Sequence, residues 1–186
     1  MIADRAIGFI APCLPMSAER PPAEPGWIHE IKHHGCRLMA RRDGARVLLL
    51  TRRGLDCTTR YPAIAAGVRA LHCRSCLIDG QAVACGKDAR SRRGGPRDVL
   101  FAFDLLELNG RDLRREPIET RKSLLGRLLE DAKPPLRLSE EMAATGDAVF
   151  RYARELGLEG IVSKRLGSFY RSGRSRDWIT SKSRPR

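Results

Sequence analysis

The alternation of apolar and polar residues predicts an antiparallel hairpin early in the chain. Residues 36–42 suit a strand, Asp43-Gly44 is a hairpin turn signal, and residues 46–51 (RVLLLT) suit a second strand. The pattern changes over residues 61–71, where apolar residues stand at 61, 64, 65, 68 and 71. That spacing predicts a helix directly after the hairpin.

The rest of the chain mixes the two periodicities without strict alternation. Six further segments are predicted: strands at 76–85, 99–106, 159–164 and 178–183, and amphipathic helices at 119–131 and 147–156. Strands therefore arrive in pairs or singly between helices. This order predicts an α+β fold with mainly antiparallel sheets flanked by helices.

The first 26 residues differ from the remainder. They hold five of the eleven prolines and show no steady period, so they are predicted to form an extended arm leading to Trp27. They contain no apolar run long enough for a signal sequence or a membrane span. We therefore expect a cytoplasmic protein with no membrane partner, whose six cysteines are reduced thiols.

Charge adds a candidate partner. The chain has 35 Lys and Arg against 22 Asp and Glu, a net charge of +13, which attracts polyanions. Nucleic acid is the first partner to consider, although a generally basic proteome would give the same composition. Residues 90–97 (RSRRGGPR) form a basic, glycine-rich segment that is either a solvated turn or a contact to a phosphate backbone.

Five short motifs follow one another in order along the chain. They read KHHGCR from Lys32, IDGQ from Ile78, AFDLL from Ala102, EGIVSKR from Glu159 and WITSK from Trp178. Singly, a glycine beside a charged residue at a strand end usually marks a turn. Together the motifs resemble those of the covalent nucleotidyltransferases, the ATP-dependent DNA ligases and their relatives, which read K-x-D-G-x-R, IDGE, AFDLL, EGIVSKR and WLKVK. The resemblance is greatest to the adenylation domain of bacterial ligases of non-homologous end joining.

The resemblance implies a fold and a reaction. Residues 27–183 would form an ATP-grasp-like nucleotidyltransferase domain that prepares DNA strand joining in repair. Lys32 would attack the α-phosphate of ATP and carry AMP as a lysyl phosphoramidate. The amine must be neutral to attack, so positive neighbours that oppose its protonation are expected, namely Arg37, Lys164, Lys182 and the metal ion.

The resemblance also implies roles for the neighbours of Lys32. Phe103 would stack on adenine, Glu30 and the backbone of Ile31 would read its edge, and Glu159 would hold a catalytic magnesium ion. Cations and an amide would contact the ribose and phosphates: Arg37, Arg52, Gln81, Lys164 and Lys182. Glu30 and Phe103 could otherwise be a surface charge and a core aromatic residue.

The chain departs from the family pattern at three motif positions. His34 replaces an aspartate, Gln81 replaces a glutamate, and Thr180 replaces a lysine. An ion pair at about 4 Å is worth on the order of 4 kcal/mol at an effective dielectric near 20, so the lost carboxylates are expected to weaken adenylation.

The oligonucleotide-binding barrel that follows in the family is expected to be absent. Nick sealing would then need a separate oligonucleotide-binding domain or an end-joining protein. Two alternatives stay open: a catalytically decayed homologue that acts only as a DNA-binding module, and a relative that acts on RNA ends.

Overall fold

The computed structural model describes residues 9–84 and 98–183. The predicted basic segment at 90–97 and the last residue of the predicted strand at 76–85 lie outside the described residues. Three helices are present in the described part: α1 (Pro62–Ala70), α2 (Ile118–Leu129) and α3 (Gly146–Glu155). Ten strands accompany them there: β1 (Cys13–Ala18), β2 (Trp27–Ile31), β3 (Cys36–Asp43), β4 (Arg46–Thr51), β5 (Ser75–Val83), β6 (Val99–Leu108), β7 (Arg111–Asp112), β8 (Leu136–Leu138), β9 (Gly160–Arg165) and β10 (Gly173–Lys182).

The strands form two sheets. The smaller sheet has the order β1-β10-β9-β2, and the larger has the order β4-β3-β5-β6-β7 with β8 beside β6. Pairing is antiparallel except between β1 and β10 and between β6 and β8. The predicted α+β class with mainly antiparallel sheets is confirmed.

Local sequence explains the predicted elements. The β3–β4 hairpin turns at Gly44, whose φ of 56° suits glycine. Helix α1 begins with Pro62 in its first turn, where the missing N–H costs no helical hydrogen bond. Its apolar face, Ile64, Ala65 and Val68, is buried against the larger sheet.

Strand β1 was not anticipated within the predicted extended arm. Ser17 stands opposite Thr180 in the pairing with β10, and the register shifts between Pro15 and Met16. Proline has no N–H for the ladder, so an irregularity at this position is expected. The prolines that obscured the strand in the sequence leave it at the edge of the smaller sheet.

The two sheets face each other across a shared apolar cluster. Met39, Leu77 and Leu106 come from the larger sheet, and Ile28 and Trp178 come from the smaller one. The main core lies on the opposite side of the larger sheet, against α1 and α2. None of the helices in the described part of the chain has the length and apolar character needed to cross a bilayer.

Candidate active site

Lys32 lies where strand β2 ends, beside a cleft between the two sheets. The cleft has a volume of about 770 Å³. The Lys32 amide donates to the Gly160 carbonyl at 2.9 Å, and its Nζ donates to Glu159 Oε1 at 2.5 Å. The side chains of Lys32 and Glu159 are 24% and 26% exposed. The amine is therefore held at the wall of a cavity large enough for a nucleotide.

A glycine makes this placement possible. Gly160 has a φ of 140°, and a Cβ built there would stand 2.1 Å from the Ser181 carbonyl oxygen. The close approach lets β2, β9 and β10 run side by side up to one end of the smaller sheet, which is the edge meant below. Lys32, Glu159 and Lys182 all lie at that edge.

The cleft gathers residues from both halves of the chain. All predicted nucleotide-binding residues line it together with Lys32: Glu30, Ile31, Arg37, Arg52, Gln81, Phe103, Lys164 and Lys182. The predicted metal ligand Glu159 touches Lys32. The structure thus brings the sequence-predicted residues to one place, and their roles toward a nucleotide stay predictions.

Glu30 is the centre of a buried charge cluster. Its Oε1 accepts from Lys122 Nζ and Lys164 Nζ, both at 2.8 Å, and its Oε2 accepts from Ser139 Oγ at 2.9 Å. Burial alone would raise the pKa of the Glu30 carboxyl, but the charges of Lys164 and Lys122 outweigh it and lower that pKa below its ordinary value. Burial lowers the pKa of the Lys164 ammonium, against the opposing charge of Glu30. Glu30 is therefore not a surface charge, and its predicted role at the edge of a base stays a prediction.

Arg37 is held by a second polar network. Its Nε and Nη2 donate to the two oxygens of Asp79 at 2.9 and 2.6 Å, and its Nη1 donates to the Cys13 carbonyl at 2.6 Å. Tyr170 donates its hydroxyl to Asp79 at 2.7 Å and accepts from the Cys13 amide at 2.9 Å. Burial would lower the pKa of the Arg37 guanidinium, but the ion pair with Asp79 outweighs burial and raises it. Arg37 therefore presents a fixed charge, with three of its five N–H donors bonded to protein groups.

Phe103 lies between these two networks. The Arg37 guanidinium stands 5.3 Å from the centre of its ring, and Lys164 Nζ stands 4.8 Å from it. Trp178 meets the same ring edge to face, with centroids 6.0 Å apart. Cation–π contacts and aromatic packing thus fix the ring at the cleft.

The three departures from the family pattern lie at different depths. His34 has a side chain that is 83% exposed, and its Nδ1 stands 3.4 Å from Glu159 Oε2. Gln81 is partly buried and lines the cleft. Thr180 is buried, donates its hydroxyl to the Ile161 carbonyl at 3.4 Å and also lines the cleft. His34 is thus the departure that touches the predicted metal ligand.

Glu159 is the carboxylate in contact with Lys32 and the predicted metal ligand. Burial would raise the pKa of its carboxyl, but the hydrogen bond and charge of Lys32, followed by His34, lower it below the ordinary value. No three or more His, Cys, Asp or Glu side chains come together as a metal cluster within residues 9–84 and 98–183. Magnesium is usually bound by one or two carboxylates together with substrate phosphates, so a single glutamate beside a nucleotide-sized cleft fits that ion.

Sequence reasoning missed most of the partners that hold these groups. Asp79 was visible within its motif, but its pairing with Arg37 was not. Tyr170, Lys122 and Ser139 carry no local signal, because each meets its partner from a distant part of the chain. A buried polar partner of this kind is found only once the fold is known.

Sequence comparisons agree with the geometry. The profile of the ATP dependent DNA ligase domain matches residues 17–182. The chain is 38% identical over 185 aligned residues to the multifunctional non-homologous end joining protein LigD of Pseudomonas aeruginosa, covering 94% of this chain and 22% of that protein. It is 35% identical to a probable DNA ligase of Streptomyces griseus, covering 82% of this chain and 35% of that protein. The chain thus spans about a fifth to a third of these two relatives.

Solved structures of DNA ligase D resemble this chain as well. A mycobacterial DNA ligase D complexed with ATP and MES superposes with a TM-score of 0.77 at 27% identity, covering 98% of this chain and 62% of that one. The ligase domain of Mycobacterium tuberculosis LigD superposes with the same TM-score at 29% identity, covering 92% of this chain and 60% of that one.

Proposed function

The chain belongs to the family of ATP-dependent DNA ligase domains, and on that premise we propose that it transfers AMP from ATP to Lys32 as the first step of DNA strand joining. The observation that carries the proposal is the position of Lys32 Nζ at the wall of the cleft, in contact with Glu159. A nucleophile in such a cavity can meet a bound phosphate in the geometry that covalent catalysis requires.

The chemistry starts from the pair of Lys32 and Glu159. An amine attacks phosphorus only in its neutral form, so Lys32 must first give up a proton. Glu159 Oε1, at 2.5 Å from that amine, would accept the proton. The neutral nitrogen then forms a bond to the α-phosphorus while the bond to the bridging oxygen breaks, and pyrophosphate leaves with that electron pair. The product is a lysyl phosphoramidate of AMP.

The walls of the cleft supply binding and orientation. Adenine would stack on Phe103, whose ring is fixed by Trp178 and by two cations. The Ile31 backbone borders the same cavity and would meet the edge of the base. Glu30 would act through its hold on Lys164, because its two oxygens are already bonded to protein groups.

The polar residues at the cleft would meet the sugar and the phosphates. Arg52 and Lys182 border the cavity without an ion pair in the described part of the chain, so their charges are available to phosphate oxygens. Gln81 can accept a hydrogen bond from a ribose hydroxyl. Arg37 would contribute its fixed positive charge and the two N–H groups that Asp79 and the Cys13 carbonyl leave free.

Glu159 would hold magnesium together with the phosphates of ATP. When bound, the ion would supply positive charge to the transferring phosphoryl group. His34 stands beside the same carboxylate and brings no negative charge, unlike the aspartate of the family pattern. We infer that adenylation is weakened for this reason.

The nicked or broken DNA duplex is the proposed acceptor of the AMP. The net charge of +13 supports a polyanionic partner. An oligonucleotide-binding domain or an end-joining protein would help to hold this duplex. Such a partner belongs to the proposal and lies outside the fold described above.

The test is transfer of label from α-labelled ATP in the presence of magnesium. The protein is expected to gain one covalent AMP, which peptide mapping places on Lys32, and the Lys32→Ala variant is expected to gain none. Lys133→Ala, at an exposed lysine outside the cleft, is the matched control and should label like the unmodified protein. Label that persists in Lys32→Ala, or its absence from the unmodified protein across pH and divalent metals, would overturn the proposal.

A further inference from the structure

Two cysteines meet at the start of strand β5, away from the cleft. Cys73 precedes the strand and Cys76 is its second residue, which gives the spacing Cys-x-x-Cys. Both thiols are free, and a hydrogen bond joins their side chains. Neither residue lines the cleft. The pair is therefore separate from the residues proposed to bind the nucleotide.

The backbone between the two cysteines is tied to the end of the larger sheet. Asn109 Oδ1 accepts from the Arg74 amide at 2.7 Å, and the Ser75 hydroxyl donates to Glu107 at 2.7 Å. The Arg74 carbonyl accepts from the Gly44 amide at 2.8 Å. Strand β6, the turn after it and the β3–β4 turn thus hold the segment in place, which keeps the two thiols together.

The two thiols differ in exposure. Cys76 is fully buried within the main core, whereas Cys73 is partly exposed and packs against the margin of that core. A dissolved reagent can therefore reach Cys73 first. Cys76 is within reach of the sulfur of Cys73 but is shielded from the solvent.

Arg42 on β3 places a positive charge beside the exposed thiol. Its Nε donates to the Gly44 carbonyl at 3.0 Å and its Nη1 donates to the Leu71 carbonyl, so the guanidinium is anchored by backbone on two sides. The same side chain forms a hydrogen bond with the Cys73 sulfur. A neighbouring arginine stabilises the thiolate, which is the nucleophilic form of cysteine.

Hydrogen bonds, charge and burial separate the acidities of the two thiols. The hydrogen bond from Cys76 lowers the pKa of the Cys73 thiol, burial opposes it, and Arg42 lowers it further, to about 7, against the charge of Glu107 on β6. The hydrogen bond to Cys73 and burial both raise the pKa of the Cys76 thiol. At neutral pH the exposed sulfur is therefore largely thiolate and the buried one is protonated.

A metal ion would need more ligands than this pair supplies. A structural zinc site is closed by further Cys or His side chains, and no three His, Cys, Asp or Glu side chains come together as a metal cluster in the part of the chain that the structure describes. A reachable thiolate next to a buried thiol is instead the arrangement that thiol–disulfide exchange requires.

We propose that Cys73 and Cys76 form a reversible redox pair, which small-molecule disulfides such as oxidised glutathione convert to an intramolecular disulfide. The Cys73 thiolate attacks one sulfur of the small disulfide, its S–S bond breaks, and one small thiolate leaves. Cys76 then loses its proton and attacks the Cys73 sulfur, and the second small thiolate leaves with the electron pair of the broken bond. Two protein thiols are oxidised and one small disulfide is reduced. The two leaving thiolates take up, through the solvent, the protons that Cys73 and Cys76 released.

The test is equilibration of the full chain with mixtures of reduced and oxidised glutathione. After an acid quench, alkylation of the remaining thiols and peptide mass mapping should show a Cys73–Cys76 crosslink that grows with the oxidised fraction and disappears on addition of excess reduced glutathione. Both thiols remaining free at every ratio would overturn the proposal. A mixed disulfide that persists on Cys73 of the unmodified protein would do so as well.

Serine variants test the order of attack. Cys76→Ser should accumulate glutathione on Cys73, because no second thiol is present to release it, and Cys73→Ser should leave Cys76 unmodified, because that thiol is buried. The matched control is Cys57→Ser, which removes a partly buried thiol that donates to the Leu49 carbonyl, and it should form the crosslink like the unmodified protein. Glutathione on Cys76 of Cys73→Ser would contradict the assigned order.

Alkylation rates provide a measurement that needs no oxidant. Burial raises the pKa of the Cys57 thiol, so Cys73 should react with iodoacetamide at about pH 7 at least fivefold faster than Cys57 in the same protein. Equal rates at the two residues would refute the activated thiolate on which the proposal depends.

Discussion

The buried carboxylate of Glu30 should be worth several kilocalories per mole to the fold. Replacing it by glutamine keeps the shape of the side chain and removes its charge. Lys122 and Lys164 would then share a buried site without their carboxylate. At 2.8 Å and an effective dielectric of 20, each attraction is about 6 kcal/mol, and the relief of desolvating Glu30 returns part of that loss. Measured losses for broken buried pairs are about 3–5 kcal/mol, which is the expected decrease in the free energy of unfolding.

Urea denaturation of both proteins measures this decrease, provided that the m-value stays unchanged. The control is Asp112→Asn, which breaks the half-exposed pair with Arg114 and should cost below about 1 kcal/mol. A Glu30→Gln protein no less stable than that control would refute the reasoning that the cleft floor depends on this carboxylate.

The difference in the free energy of unfolding between the unmodified protein and Glu30→Gln should depend on pH in a defined direction. The pKa of the Glu30 carboxyl is lowered in the folded protein, so its contribution is complete above the ordinary value of 4.5 and is lost as the pH falls through the folded pKa. The deficit of Glu30→Gln should therefore shrink on acidification below pH 4.5. A deficit that grows over that range would contradict the direction of the shift.

Three further outcomes are expected. His34→Asp combined with Gln81→Glu should increase the rate of lysyl-AMP formation roughly tenfold or more, because one restored charge contact is worth on the order of 1 to 4 kcal/mol. Labelling no faster than that of the unmodified protein would exclude charge loss as the defect. Gly160→Ala should destabilise the fold by more than about 2 kcal/mol in thermal or urea unfolding. The added Cβ would stand 2.1 Å from the Ser181 carbonyl oxygen, and the φ of this residue is 140°. An unchanged free energy of unfolding would contradict the close approach. Retardation of nicked duplex should fall steeply with salt and survive Lys32→Ala, and salt-independent binding would argue against phosphate contacts.

The fold was predictable where periodicity and turn residues agree. The predicted helices at 61–71, 119–131 and 147–156 differ from the observed ones by at most two residues at either end. Strands β2 and β7 were not predicted either, and β1 and β8 were missed for a physical reason. Both are short and contain or follow prolines, and both gain their pairing from strands far away in the chain. Long-range pairing of this kind leaves no local pattern.

The candidate site was likewise predictable only in part. Its members could be predicted because the motifs carry them, but their partners could not. Asp79 pairs with Arg37 across adjacent strands of the larger sheet, and Tyr170 joins them from 91 residues away. The expectation that Glu30 reads a base edge came from its motif position, whereas its burial with two lysines depends on the packing of three elements.

The separation of paired from unpaired cations bears on how the domain can combine rigidity with phosphate binding. A charge that is both buried and paired is fixed in place and costs no reorganisation when a ligand arrives, which suits Arg37 and Lys164 around the ring of Phe103. An unpaired cation at a cavity wall is still solvated and gains its partner only from an incoming anion. The cleft floor would then select the shape of the nucleoside, while the edge that carries Lys182 would supply most of the affinity that depends on phosphate number. On this reasoning, added salt should weaken ATP binding more than adenosine binding, because only the phosphate contacts are screened.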